Sequence, residues 1–228
     1  MKKALALVLA ALLLVSMAAC TGTAPAATTA ATTAAAETTA AADETAAQTE
    51  ADKSYVVGIC QLVQHPALDA ATQGFKDALT EALGGAVSFN EQNASGESTN
   101  CATIVNSLVA SNVDLILANA TSPLQAAASA TADIPILGTS VTDYASALEI
   151  DNWNGTVGGN ISGTSDLAPL DQQAAMLREL FPDARTVGLL YCSSETNSKY
   201  QVDVIRGYLE QAGLTCEDFA FTDTNDVA

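Results

Sequence analysis

The chain has 228 residues, a formal net charge of −18, five cysteines and a single histidine. From Ser54 onward it has no Lys/Arg cluster able to displace phosphate counterions, which argues against nucleic acid. The cysteines form no CxxC and have no second histidine beside them, so no metal site is expected.

The first segment, MKKALALVLAALLLVSMAAC, carries two lysines and then an apolar run from Ala4 to Ala19. That run is short for a bilayer span and reads as an export signal over residues 1–20. Met17-Ala18-Ala19-Cys20 resembles a bacterial lipobox, which makes Cys20 the expected lipidation site and the protein extracytoplasmic, held to the cell membrane by its lipid. Residues 21–53 are almost wholly Ala, Thr and acids, too poor in apolar bulk to offset the entropy of ordering, and read as a tether.

YVVGIC, from Tyr55, is an apolar β-branched run suited to a strand buried on both faces. Pro66 suits the first position of a helix carrying Leu68, Ala71, Phe75, Ala78, Leu79 and Ala82, stopped by Gly84 and Gly85. AVSFNEQN is a second strand, after which Ser98 or Thr99 caps a helix with Ile104, Val105, Leu108 and Val109. VDLILA is a third strand; Thr121, Ser122 and Pro123 open an Ala-rich helix; DIPILGTSV is a fourth strand. This alternation predicts an α/β fold, a parallel sheet flanked by helices, as lobe one over residues 54–140. Residues 141–168 are Gly/Asn-rich and poorly periodic, and read as a crossover. Lobe two, residues 169–228, opens with the amphipathic LDQQAAMLRELF and the strand TVGLLY. There Gly188 echoes Gly58, and VIRGYLEQAGL echoes GFKDALTEALGG.

Ligands of open parallel sheets sit beyond the carboxyl ends of the strands. The loops at those ends include Gln61 to Ala67, Asn93 to Thr99, Asn119 to Ser122, Thr139 to Asp143 and Cys192 to Ser198. They are rich in hydroxyls and amides, poor in cations, and lack the glycine pattern of a dinucleotide or triphosphate cradle, so no cofactor is expected. They suit a small neutral or zwitterionic ligand. Equally, each Ser, Thr or Asn can be read as a helix cap. An enzyme reading needs His65 as base, Ser193 or Ser194 as nucleophile, and Asp69 or Asp143 as the third member. No GxSxG elbow accompanies them, and Pro66 fixes His65 at the helix mouth, so no catalysis is expected. Export permits disulfides among Cys60, Cys101, Cys192 and Cys216, buried free thiols fit as well, and both readings stay open.

QLVQHPALDAATQGF, NATSPLQAA, IPILGTSVTD, NISGTSDLAPLDQQ and YCSSETNSKYQV together resemble the substrate-binding lipoproteins of ABC transporters, of the tryptophan/aromatic amino-acid type. The resemblance implies a two-lobed type I periplasmic-binding-protein fold that closes on a small ligand, an aromatic or apolar amino acid, and passes it to an ABC permease and ATPase. It implies a cleft lined by Gln61, His65, Thr121, Ser122, Thr139, Thr142, Asp143, Asp166, Ser193, Ser194, Glu195 and Asn197. Relatives of this kind continue past the point where this sequence stops, so lobe two is expected to be incomplete. The second reading is a ligand-sensing module that serves a receptor kinase or chemoreceptor; the third is a hydrolase.

Overall fold

The computed structural model describes residues 53–222; the expected signal over 1–20 with Cys20, and nearly all of the tether over 21–53, lie outside the described residues. The first strand, β1 (Tyr55–Gln61), is central. It pairs in parallel with β2 (Val87–Asn93) on one side and β3 (Leu115–Asn119) on the other, and β4 (Ile136–Val141) and β5 (Ile161–Ser165) extend the sheet in the order β2-β1-β3-β4-β5. Chain order reverses across β1, which opens a crevice at the carboxyl ends of β1 and β3.

Alternation along β1 builds two cores. Val57 and Ile59, both buried, face α1 (Pro66–Leu83) with Leu117, and Phe75 and Leu79 pack against them. Cys60 belongs to the larger core, formed with Ile116, Ala118 and Ile136 against α2 (Ser98–Ala110) and α3 (Thr121–Ala130). Gly58 lets α2 come close, since a Cβ there would stand 2.9 Å from a Leu108 methyl. On α1 only Thr72 is buried; Ala78 and Ala82, expected on the covered face, are exposed. The sheet covers this helix along a narrow stripe.

The region 141–168, read as a crossover, contributes two elements to lobe one. One is the short helix α4 (Tyr144–Ala147); the other is β5, which pairs with β4. Periodicity could not show β5, because ISGTS is an edge strand mostly exposed and without an apolar alternation. The Tyr144 side chain lies over the paired Gly138 and Gly163, and its Oη donates to Thr164 O at 3.3 Å. Burial pushes this phenol up to about 12.

Lobe two consists of α5 (Leu170–Leu180), β6 (Thr186–Cys192), α6 (Thr196–Gln211) and β7 (Thr215–Phe221), with β6 and β7 parallel. Its strand–helix–strand order repeats that of β1, α1 and β2. Ala174, Leu189, Val202, Leu209 and Leu214 form its core. The apolar run TVGLLY suggests a buried strand, yet Leu190 is 65% exposed and Phe219 on β7 is 52% exposed, because both helices pack on the opposite face of this small sheet. No helix among the described residues is long and apolar enough to cross a membrane.

Candidate functional site

His65 stands at the mouth of α1 in extended backbone, and its Nδ1 accepts the Ala67 N–H at 3.2 Å. The imidazole therefore caps an otherwise orphaned helix donor as an acceptor. Asp69, in the first turn, accepts from Gln61 Nε2 at 2.6 Å. Gln61 Oε1 accepts from Thr72 Oγ1 at 2.7 Å, and Asn119 Nδ2 donates to Thr72 Oγ1 at 2.9 Å and to Leu68 O at 2.8 Å. Gln61, Thr72 and Asn119 are all buried. The network thus ties the carboxyl ends of β1 and β3 to the first turns of α1. Gln61 also borders a hollow of about 690 Å³ with Asp69, Gln73, Glu91 and Asn93.

A larger cleft of about 930 Å³ lies between the lobes. Lobe one supplies Val63 and the turn from Ser95 to Thr99, which ends at the N-terminus of α2. Lobe two supplies the carboxyl end of β6 (Leu190, Tyr191, Cys192), Ser194, Glu195, the first turns of α6, and Phe221. The lining therefore combines the rings of Tyr191 and Phe221 with hydroxyls and the carboxylates of Glu97 and Glu195, with no Lys or Arg among the lining residues. Ser98, expected as a cap, is the first helical residue of α2, and Glu97 precedes it without a side-chain capping bond. The Ser98 hydroxyl instead lies 3.3 Å from that of Ser122, which places the mouths of α2 and α3 side by side.

At α3 the chain turns sharply. Ala120 has φ 106°, in a region that favours glycine, and its N–H donates to Thr139 O at 3.0 Å. Thr121 is buried there and Thr139 half-buried. Asp143 Oδ2 accepts the Ser146 N–H at 2.7 Å as the cap of α4. Thr142 is buried, and its carbonyl accepts from Ser165 Oγ at 3.0 Å; Asp166 is exposed. The lobes meet beside this group. Gln125 Nε2 donates to Thr196 Oγ1 at 3.3 Å, and the Tyr200 phenol is shifted upward, first by burial and then by the charge of Asp143.

The expected site residues thus fall into separate places. Ser194 and Glu195 line the cleft, Gln61 borders the smaller hollow, His65 caps α1, Ser122 meets Ser98, Thr121 and Thr139 flank the turn into α3, and Asp143 lies beside Tyr200 of lobe two. Ser193 Oγ donates to Phe221 O at 3.1 Å and Ser194 Oγ to Thr222 O at 3.0 Å. Asn197 is half-buried in the first turn of α6, and its carbonyl accepts from Gln201 Nε2 at 3.3 Å. Among the described residues no hydrogen bond joins either serine to His65, and no cluster of His, Cys, Asp or Glu is able to hold a metal ion. The reading from sequence missed Tyr191 and Phe221. Their signal was their place at the carboxyl ends of two neighbouring parallel strands.

Two parallel α/β lobes facing one another across such a cleft define a periplasmic-binding-protein fold, the architecture of extracellular solute receptors. The family described as ABC transporter substrate binding protein matches residues 56–228, and the chain belongs to it. It is 38% identical over 167 residues to a tyrosine-binding protein of Clostridioides difficile (strain R20291), a match covering 72% of this chain and 48% of that one. The chain therefore spans about half the length of that curated relative. An ABC domain crystallised with L-Trp, from Streptococcus pneumonia, is 38% identical at TM-score 0.72, over 77% of this chain and 60% of that one. A ligand-free, open substrate-binding protein with adhesive properties from Clostridium difficile is 37% identical at TM-score 0.54, over 76% and 59%. At nearly equal identity and coverage, the present arrangement is nearer to the L-Trp complex.

Proposed function

We propose that the protein captures an amino acid with an aromatic or other apolar side chain in the inter-lobe cleft, and that it delivers this cargo to an ABC permease and ATPase without a catalytic step. The cleft carries this reading: about 930 Å³ suits a small molecule, with Tyr191 and Phe221 for an apolar side chain and a polar rim for the charged ends. The L-Trp and tyrosine named for its relatives point the same way.

A zwitterion enclosed by protein needs a partner for each charge. Thr121 and Ser122, with the free N–H groups at the start of α3, are assigned to the carboxylate. Asp143 and Asp166 are assigned to the ammonium, and Glu195, on the cleft wall, joins them as a third carboxylate. Gln61, His65, Thr139, Thr142, Ser193, Ser194 and Asn197 complete the proposed lining or its support.

Calorimetric titration with tryptophan, tyrosine, phenylalanine, leucine and a neutral sugar tests this. We expect at least one aromatic amino acid to bind, and Asp143→Ala, Asp166→Ala or Glu195→Ala to weaken it. Sugar binding without amino-acid binding would overturn the assignment. The proposed site of action is outside the membrane on a lipid anchor at Cys20. Cys20→Ser should move the protein from the membrane to the soluble fraction, and unchanged membrane fractionation would refute the anchor.

A further inference from the structure

Cys60 and Cys101 lie outside the cleft lining, and both are 0% exposed. Cys60 is the last apolar residue in the buried run of β1, and Cys101 sits in the first turns of α2 on the same stripe as Ile104, Val105 and Leu108. Gly58 fixes the docking of these two elements by its approach to Leu108. Along β1, Cys60 lies two residues beyond Gly58, on the same face. Along α2, Cys101 lies two turns before Leu108, again on the same face. Strand and helix run in opposite directions, so the two cysteines come opposite one another. Both are free thiols in the structure and belong to the same buried cluster.

The geometry points to a Cys60–Cys101 disulfide as a covalent modification site that staples α2 to β1 in the exported protein. This rests on the extracytoplasmic location proposed above only for its oxidising surroundings. The contact with Cys60 draws the Cys101 thiol downward, while the same contact, followed by burial, raises Cys60. The other two described cysteines have no comparable arrangement. Cys216 pairs in register with Val187 and Cys192 with Phe221, so they stand five residue steps apart along neighbouring strands, about 17 Å. That separation is beyond the reach of a disulfide.

Oxidation converts two thiols into one S–S bond with loss of two electrons and two protons. A second disulfide, of oxidised glutathione or a protein oxidant of the same class, accepts the electrons by exchange and leaves as two thiols that carry the protons. Both sulfurs are sealed in the folded core, so exchange must come before α2 docks on β1. Once formed, the bond resists reductant until the lobe unfolds. Its effect on the site is mechanical. The stapled turn directly follows Ser98 and Thr99, which line the cleft, and Cys60 directly precedes Gln61.

The test uses the full chain, either recovered from outside the cytoplasm or refolded with reduced and oxidised glutathione. It is denatured in guanidinium with iodoacetamide and no reductant, digested, and read by mass spectrometry. The expected result is a cross-linked peptide pair containing Cys60 and Cys101, with Cys192 and Cys216 alkylated. Alkylation of both Cys60 and Cys101, or a bond from either to Cys192 or Cys216, would overturn the proposal. Melting separates the cross-link from packing. Closing a loop of this length is expected to raise Tm by about ten degrees, so reductant present through refolding should lower Tm by that amount. A Cys60→Ala, Cys101→Ala double variant should melt at the same temperature with and without reductant. A wild-type Tm that ignores reductant would also overturn the idea.

Discussion

Asn119 offers the sharpest test of how the cleft's lobe-one corner is held. It is fully buried at the end of β3, and its amide donates at 2.8 Å to Leu68 O and at 2.9 Å to Thr72 Oγ1. A third approach, to Gln61 Oε1 at 3.5 Å, is too long to count for much. Two good bonds at about 1 kcal/mol each, with a small packing loss, put Asn119→Ala at about 2–3 kcal/mol. Asn119→Asp should cost at least as much at neutral pH, because a carboxylate would face acceptors on Leu68, Thr72 and Gln61. Urea unfolding followed by circular dichroism measures both, with the midpoint falling and the slope unchanged. Thr72→Val closes a double-mutant cycle, in which a coupling of about 1 kcal/mol is expected. Strict additivity, or a cost below about 0.5 kcal/mol for Asn119→Ala, would refute the idea that this network pins α1 to the sheet.

Tyr144 gives a pH prediction. Its folded value, pushed up to about 12 by burial, lies above the ordinary 10.0, so the native state keeps a proton that the unfolded chain releases. The stability this gives is complete below pH 10 and is lost as pH rises through 12, by at most about 2–3 kcal/mol. Across pH 8–12 the wild type should lose stability relative to Tyr144→Phe, and parallel curves would contradict the assignment. Gly163→Ala should cost about 2–4 kcal/mol in chemical denaturation, since its Cβ meets Tyr144 Oη and the Gly138 backbone. Adding Tyr144→Phe should recover only part of that loss, because the Gly138 backbone cannot step aside; full recovery would show that the phenol was the whole obstacle. His65→Ala should cost about 0.5–1 kcal/mol as a lost cap, near the low end because the side chain is exposed. A hydrolytic activity present in wild type and absent from that variant would reverse the non-catalytic reading.

Much of the architecture was legible because its signals are local. Apolar runs such as YVVGIC, Pro66 at a helix start and Gly84 at a helix end each carry their own steric reason, and β1, α1 and β2 follow from them. β5 was not legible: an edge strand of Ile, Ser, Gly and Thr has no buried face to write a pattern. The membership of the cleft was only half legible. The serines and threonines of the loops announced hydrogen bonding, but several are occupied by neighbouring segments of the chain, as Ser193 is by Phe221 O and Ser194 by Thr222 O. Tyr191 and Phe221 look like core residues in one dimension. They border the cleft because a parallel strand pair ends there, and Tyr191 packs against the lobe-two core as well.

The seam between the lobes sets a tension between grip and handover. The Gln125–Thr196 bond is neutral, partly exposed and 3.3 Å long, worth about 1 kcal/mol at most. In the proposed function a cargo, together with the packing of α4 against α6 beside that bond, supplies the free energy that keeps the lobes shut. Apparent affinity is then the closed-state affinity scaled by the fraction of molecules already closed. Strengthening the seam would tighten capture and in the same measure lengthen residence, which slows transfer to a downstream acceptor. For the carrier proposed above, emptying as reliably as filling favours a seam close to neutral balance.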